Sequence, residues 1–312
     1  MNLHRLHAAP PHDLATALAR FEAEFTYPLG PGRTFRISHG DDYPRFYRSM
    51  GDAVCVVAER DGEILGAMAA VVRSLARPNG EVRPALYLGD LKITPRNRGG
   101  RVLLRLASEV ASWVAGRVET AFAVVMGGTR VTPDRYTGRL GMPAFRELAR
   151  VAILRVPTDG AIGLAGGEIS AEIGQGIFLD LTRDRYTATG GDPAERSEMP
   201  PVWFGTRDGS VCSRLEDTRR AKRLTDDAGN EIVSAHLACF AYRDVPAGLG
   251  LLATARSTAA AGGFPAVFFA VPEADAEAFT AAVGTGATLA PATVYGAGIE
   301  PGGQWVINTS EV

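Results

Sequence analysis

Residues 88–106, LGDLKITPRNRGGRVLLRL, place three arginines and two glycines between an apolar run and a stretch of helical spacing. The apolar run carries one carboxylate, Asp90, and one ammonium, Lys92. The turn carries Arg96, Arg98, Gly99, Gly100 and Arg101. A glycine-containing turn at a helix start exposes several backbone N–H groups with no intrahelical partner, and the helix dipole adds positive potential there. Such a turn holds phosphate, glycine lets the ligand approach the backbone, and the arginines add charge-assisted bonds. A pyrophosphate suits it well. The alternative is a solvated, arginine-bearing loop. A dinucleotide site would need GxGxxG and a nucleotide-triphosphate site GK followed by Ser or Thr, and the sequence has neither at this point.

The flanking elements must hold the turn in place. Residues 13–25 show helical spacing at Leu14, Leu18, Phe21 and Phe25, with Asp13 placed to cap. Residues 53–72 read as a hairpin of two apolar runs around Arg60-Asp61-Gly62. ALYLGDLKI (85–93) is the next strand, ended by Pro95. VLLRLASEVASWV follows as an amphipathic helix, with Leu103, Leu106, Val110 and Trp113 on one stripe. AFAVVM (121–126) is a buried strand, a short helix lies within RVTPDRYTGRLG, and FRELARVAILRV ends in another strand.

Residues 157–176 are dense in glycine and lack strong periodicity, so the domain boundary falls there. The second half then repeats the first. FGTRDGSVCSRLEDTRR mirrors the hairpin, SAHLACFAYRD the strand before the turn, LGLLATARSTAAAGG the helix and AVFFAV the buried strand. Between strand and helix this copy has Arg243-Asp244-Val245-Pro246-Ala247-Gly248, without the arginine–glycine cluster. The expected domains are 1–157 and 177–312.

Composition narrows the function classes. The 312 residues are 46% hydrophobic and 22% charged, and 33 basic against 35 acidic residues leave a net charge of −2. That balance offers no global field for nucleic acid, so an anion site must be a local concentration of charge. No stretch reaches the ~20 apolar residues of a membrane span, and the first residues lack a signal-peptide core. Cys55, Cys212 and Cys239 are far apart and form no CxxC, which argues against a disulfide framework or a zinc site. The expectation is a cytoplasmic protein with no metal, no nucleic-acid partner and no membrane association.

Strand, Pro, two residues, Arg-Gly and helix, after a hairpin and before a buried strand, resemble the GNAT superfamily of acyl-CoA-dependent N-acetyltransferases. The match runs from Leu91 to Leu104, and at position 101 arginine stands where glycine or alanine is usual. The resemblance implies an α+β fold of two tandem GNAT-like domains, each a central mixed, mostly antiparallel sheet flanked by helices. It implies acetyl-CoA as cosubstrate. Main-chain groups of Leu91, Lys92 and Ile93 would meet the pantetheine arm, and Arg98, Gly99, Gly100, Arg101, Val102 and Leu103 the pyrophosphate. It further implies that a small-molecule or peptide amine attacks the acetyl carbon directly, with proximity and peptide dipoles supplying much of the rate.

The attacking ammonium must lose a proton. Asp90 is the candidate base; the alternative is a carboxylate paired with Lys92 or a nearby arginine. Tyr136, upstream of Arg139-Leu140-Gly141-Met142, is the candidate acid for the leaving thiolate. It lies one position from the family's usual tyrosine, where this chain has Thr137. Its alternative is a packed tyrosine with an exposed hydroxyl. Asp41, Asp42 and Tyr43 fall in the region that borders the acceptor cleft. A non-catalytic acyl-CoA-binding or regulatory protein remains the rival to an enzyme, and the second copy, with no carboxylate in Leu237-Ala238-Cys239-Phe240, reads as degenerate.

Overall fold

The structure is a computed structural model that describes residues 1–28, 32–98, 100–160 and 166–312. The first copy is built from β1 (Asn2–Leu6), α1 (His12–Glu22), β2 (Tyr27–Pro28), β3 (Thr34–Ser38), α2 (Arg45–Arg48), β4 (Asp52–Arg60), β5 (Glu63–Ala76), β6 (Val82–Ile93), α3 (Val102–Val114), β7 (Thr120–Met126), α4 (Pro133–Tyr136) and β8 (Arg146–Pro157). The second comprises β9 (Gly167–Ile169), α5 (Ala171–Leu181), β10 (Tyr186–Thr189), β11 (Val202–Gly205), β12 (Val211–Glu216), β13 (Arg223–Asp226), β14 (Ala235–Tyr242), α6 (Val245–Ala261), β15 (Ala266–Pro272), α7 (Ala276–Val283), β16 (Thr288–Ala297) and β17 (Trp305–Val306).

Local chemistry accounts for the β4–β5 hairpin. Asp61 and Gly62 both adopt positive φ, 54° and 81°, the requirement of a two-residue turn that matches strand twist. Along β4, side chains alternate between two cores. Cys55 and Val57 pack with α1 and α2, whereas Val54, Val56 and Ala58 pack with α3. The buried stripe of α3 is Val102, Leu106, Val110 and Val114, which recurs every fourth residue. A strand covered on both faces must be apolar throughout, and β4 is.

The glycine-dense segment contains more order than its composition suggests. Residues 161–165 lie outside the described residues, but α5 begins at Ala171, with the Ser170 side chain accepting from the Ile173 N–H. The second long helix also starts earlier than its periodicity indicates. Pro246 sits in the first turn of α6, where its missing N–H costs nothing, so Val245–Gly248 are helical rather than a turn.

The copies share one sheet and exchange their last strands. The sheet order is β1-β4-β5-β6-β7-β16-β8-β15-β14-β12-β11-β9. Thus β16 pairs antiparallel with β7 of the first copy, and β8 pairs antiparallel with β15 of the second. A smaller sheet, β13-β3-β2, joins the copies again.

Where the copies meet, Arg196 is 1% exposed and bonds Glu216 at 2.7 Å and Glu311 at 3.2 Å. Arg73 holds Glu311 at 2.7 Å, and Arg214 holds Glu216 at 2.6 Å. Burial alone would raise the Glu311 pKa, but Arg73 and Arg196 pull it down to about 2. Its ionised form is therefore bound more tightly in the folded than in the unfolded chain. The resulting stability is present above the usual glutamate range, near pH 4.5, and is lost as pH falls toward about 2. Glu311→Gln leaves two buried guanidinium groups short of charge and should cost about 3–5 kcal/mol. Thermal unfolding from pH 7 to 2 checks this: the wild-type Tm should fall more steeply than the variant's in that acid window, and parallel curves would refute the assignment.

Candidate functional site

The two strands that flank the charged turn part company. The β6–β7 parallel pairing covers only Ala85↔Thr120 to Tyr87↔Phe122. Beyond Tyr87 the main chain of Leu88–Ile93 has no partner strand on that side, and a wedge opens. On its other side β6 pairs with β5 through Gly89↔Ala69 and resumes at Lys92↔Ala67. Asp90 and Leu91 therefore stand together opposite Met68, which is a β-bulge. Asp90 carries the strain of that bulge, with φ at 52°. Such a conformation is uncommon for a non-glycine residue and is least unfavourable for Asn or Asp. The main chain of the bulge borders the wedge, while side chains on its inner side are packed. A Cβ added at Gly89 would meet the Tyr47 and Tyr87 rings at 3.3 Å each.

Below the wedge lies a pocket of about 500 Å³, lined by Met1, Arg60, Arg96, Asn97, Arg98, Gly100, Arg101, Val102 and Arg105. Five of these nine residues are arginine. Arg96 pairs with exposed Glu63 at 3.0 Å. Among the described residues Arg60, Arg98, Arg101 and Arg105 make no ion pair. Residues Pro95–Asn97 form a short 3₁₀ turn, pinned by Asn97 Nδ2 donating to Thr94 Oγ1 at 2.8 Å. Helix α3 then starts at Val102, and its N-cap residue, Arg101, supplies no side-chain cap. The first amides of α3 therefore face a cationic pocket without an internal anion. Gly99 lies outside the described residues. Val102 is buried against the sheet and Leu103 packs partly with it, so these two can offer only main-chain groups to a ligand.

Lys92 and Asp90 turn their side chains away from the wedge, into a buried polar circuit. Lys92 Nζ is 2.7 Å from Asp90 Oδ1 and 3.3 Å from Glu22 Oε1, and the two side chains of the closer pair are 2% and 6% exposed. Tyr43 donates its hydroxyl to the other Asp90 oxygen. His39 Nδ1 meets Glu22 Oε1 at 2.6 Å, the His39 N–H donates to Glu22 Oε2 at 3.1 Å, and His39 Nε2 meets the Tyr47 hydroxyl at 3.3 Å. Burial pushes the Asp90 pKa up. The Lys92 and His39 charges and the bonds from Lys92 and Tyr43 outweigh it, and the carboxyl is held below its usual range. Lys92 is held above its range, since Asp90 outweighs its burial. Burial and Asp90 keep the Tyr43 phenol protonated.

Asp90, expected as a proton acceptor for the amine, is therefore placed with both oxygens engaged and its side chain nearly inaccessible. The sequence alternative, a carboxylate paired with Lys92, is the arrangement found. Glu22, His39 and Asp90 present ligand atoms within 4.8 Å of one another, but the Lys92 ammonium already bridges two of them.

Tyr136 ends the one-turn helix α4, half-buried, with burial and Asp134 pushing its pKa up to about 12. Among the described residues its hydroxyl makes no hydrogen bond. Thr137, at the family's tyrosine position, closes the loop instead: its hydroxyl donates to Pro133 O at 2.7 Å and accepts from the Phe145 N–H at 3.0 Å. Asp42 forms two bonds with Arg48, at 2.9 and 2.8 Å. His236 is buried against Thr309. Tyr242 donates to Asp275 at 2.6 Å. Tyr295, carried into the first copy by β16, packs with Ala123, Phe145 and Leu88 at the wedge. Sequence reasoning missed Glu22, Tyr47, Arg60 and Arg105. Only the two arginines left a signal, as charges beside a turn and one helical turn past it.

The second copy keeps the same scaffold and fills it. Cys239 has φ 50°, and the register skips from Cys212↔Ala241 to Arg214↔Ala238, so Cys239 and Phe240 form the matching bulge. Pairing of β14 with β15 stops after His236↔Phe268, and the wedge forms again. Here Asn308 Oδ1 accepts the Cys239 N–H at 2.8 Å, and Trp305, Val306 and Ile307 line what remains of the gap. At the head of α6, Asp244 accepts the Ala247 N–H at 2.9 Å. The chain's own carbonyl and carboxylate occupy the two positions that stay open in the first copy.

No family model and no curated protein sequence matches the chain. Solved structures do. N-myristoyltransferase from Saccharomyces cerevisiae, solved with myristoyl-CoA bound, aligns with a TM-score of 0.62 at 11% identity, over 99% of this chain and 87% of that one. A GCN5-related N-acetyltransferase from Anabaena variabilis aligns with a TM-score of 0.50 at 11% identity, over 95% and 72% of the two chains. A probable N-acyltransferase from Enterococcus faecalis gives 0.50 at 10% identity, over 95% and 72%. Among the described residues no helix is long and apolar enough to cross a membrane. With a parted strand pair and a bulge in each copy, joined through exchanged strands in one sheet, the chain has the tandem fold of the GNAT superfamily.

Proposed function

We propose that this chain is an acyl-CoA-dependent N-acyltransferase that moves a short acyl group, acetyl first, to a primary amine on a small molecule or peptide. One observation carries the reading: the first copy leaves both an unpaired strand edge and an uncapped cationic helix start open, whereas the second fills both with its own atoms. In this reading residues 1–157 carry the reaction, residues 177–312 form the silent copy, and the protein acts in the cytoplasm. The pyrophosphate lies on the amides that follow Arg98, with Arg98 and Arg101 beside it. The pantetheine arm extends the edge of β6 along Leu91–Ile93, where main-chain donors polarise the thioester carbonyl.

The amine, in its free-base form, attacks the carbonyl carbon, the C–S bond breaks, and the thiolate leaves with its electron pair. Tyr136 is the candidate donor of the proton that converts this thiolate to CoA thiol. The surplus proton on nitrogen passes to water at the mouth of the wedge. The acyl group is short in this reading because Tyr47 and Tyr87 close the inner side of the bulge, and the charged Asp90 circuit lies behind them. A long alkyl tail would have to displace both.

The rival, acyl-CoA binding without turnover, draws on the lack of a hydrogen bond at Tyr136 among the described residues and on Thr137 being used to close its loop. Thiol release from acetyl-CoA over a panel of amines separates the two. Turnover above the no-amine rate supports transfer, and binding with no release from any amine rejects it. Under the same conditions kcat/KM for acetyl-CoA should exceed that for myristoyl-CoA at least tenfold. A preference for the long chain would reject the short-acyl assignment.

Binding itself offers a further check on the full-length chain. Calorimetry should give one CoA per chain. Arg101→Ala should weaken it by about fivefold, roughly 1 kcal/mol for a solvent-exposed charge, and the loss should shrink as salt rises. If the alanine variant binds as well as the wild type, the Arg101 side chain points into solvent and contributes nothing.

A further inference from the structure

The carboxylate of Asp90 has a better-supported task than proton transfer. Its backbone is left-handed inside a strand, at φ 52°, and the same conformation recurs in the second copy at Cys239, φ 50°. The two positions share the bulge and differ in side chain. What the duplication preserves is the shape of the main chain rather than the acid. Each copy also has its own means of holding that shape. In the second, Asn308 binds the bulge N–H directly, at 2.8 Å. In the first, that side of the chain faces the open wedge, and the hold comes from behind, through Tyr43 and Lys92 on the two Asp90 oxygens. Glu22 in turn fixes Lys92, and His39 fixes Glu22. Asp90 as a whole is only partly buried although its side chain is 6% exposed, so the part that meets solvent is mostly main chain.

We infer that Asp90 is a positioning residue: its carboxylate, clamped by Tyr43 and Lys92, fixes the left-handed bulge that aims the main-chain N–H groups of β6 into the wedge. This rests on the reading of the wedge as the thioester site. A base needs a path from a lone pair to the amine, and the Asp90 side chain is 6% exposed, with each oxygen held by a buried neighbour. A clamp needs two engaged oxygens on a residue type that tolerates positive φ, which describes Asp90.

Four variants test it. Asp90→Asn keeps the tolerance for positive φ and one carbonyl oxygen for the clamp but cannot accept the proton. It should keep kcat within about fivefold of wild type, with an unshifted pH profile of kcat/KM. Asp90→Ala loses the clamp and disfavours positive φ, and should lower kcat at least tenfold while the Kd for CoA changes less than threefold. Asp90→Gly, free to adopt the bulge, should recover at least threefold over alanine. Tyr43→Phe, which removes one clamp bond, should lower kcat severalfold and serves if the alanine variant does not fold. A hundredfold loss in Asp90→Asn with disappearance of the acid limb would make Asp90 the base and overturn the inference, as would wild-type kcat in both the alanine and phenylalanine variants. Amide hydrogen exchange over Gly89–Lys92 reads the clamp without turnover. Acceleration of tenfold or more in whichever of the alanine and phenylalanine variants folds, but not in asparagine, supports it, and unchanged exchange rejects it. Should the wild type release no thiol with any amine, the proposed function fails while the exchange result still decides the clamp.

Discussion

A backbone N–H or C=O group that loses its strand partner must find another, because leaving it unpaired and buried is costly. The separation of β6 from β7 after Tyr87, and of β14 from β15 after His236, creates that demand twice in this chain. In the second copy the demand is met internally, by Asn308 and by the segment around Trp305. In the first copy, on the proposed function, it is left to the ligand that enters the wedge. Most of the features that distinguish the copies follow from that difference: the arginine-lined pocket, the uncapped start of α3, and a bulge held from behind rather than in front.

The open copy cannot be understood apart from the filled one. Strand β16 closes the first copy's side of the sheet against β7, and β8 does the same for the second against β15. The Arg196–Glu216–Glu311–Arg73 cluster lies where they join, fully withdrawn from water. Buried charges of this kind are weak evidence for net stability, but removing one member leaves the others uncompensated. They favour a single relative placement of the copies. Tyr295 arrives on β16 and packs with Ala123, Phe145 and Leu88, so the second half of the chain supplies part of the first copy's packing beside the wedge.

Elements set by local pattern were legible in the sequence. The Asp61-Gly62 turn, the strand through Asp90 and the helix from Val102 all follow from short-range periodicity and turn chemistry, and so does the cationic turn itself. The exchange of β8 and β16 was not legible, because pairing between residues more than 100 positions apart leaves no periodic trace. The stretch LGLLATARSTAAAGG marks α6 only from Leu249, whereas the helix begins at Val245 with a proline that is favourable in its first turn. The site was half legible. The arginines and the Asp90–Lys92 pair stand close together in the chain, whereas Glu22 and His39 reach Lys92 and Asp90 only through the fold. The partner of His39 lies 17 residues away, on another element, and no local spacing points to it.

On the proposed function, the groups that fill one copy correspond to those that the open copy would accept. An amide carbonyl, from Asn308, occupies the bulge N–H of Cys239, and a carboxylate, from Asp244, occupies the head of α6. A neutral carbonyl oxygen at the bulge and an anion at the helix start are the two groups that an acyl-CoA presents, as its thioester or pantetheine amides and as its pyrophosphate. The chain meets the same two demands with side chains in one copy and leaves them unmet in the other. A fold that only needed stability would gain by filling both sets, since unsatisfied amides and clustered like charges cost free energy. Among the described residues the first copy instead concentrates four arginines without an ion pair beside its helix start, while the left-handed bulge is common to both copies. Repulsion and unmet amides kept at one of two equivalent positions, with relief present at the other, are what the proposed binding of an acyl-CoA would offset.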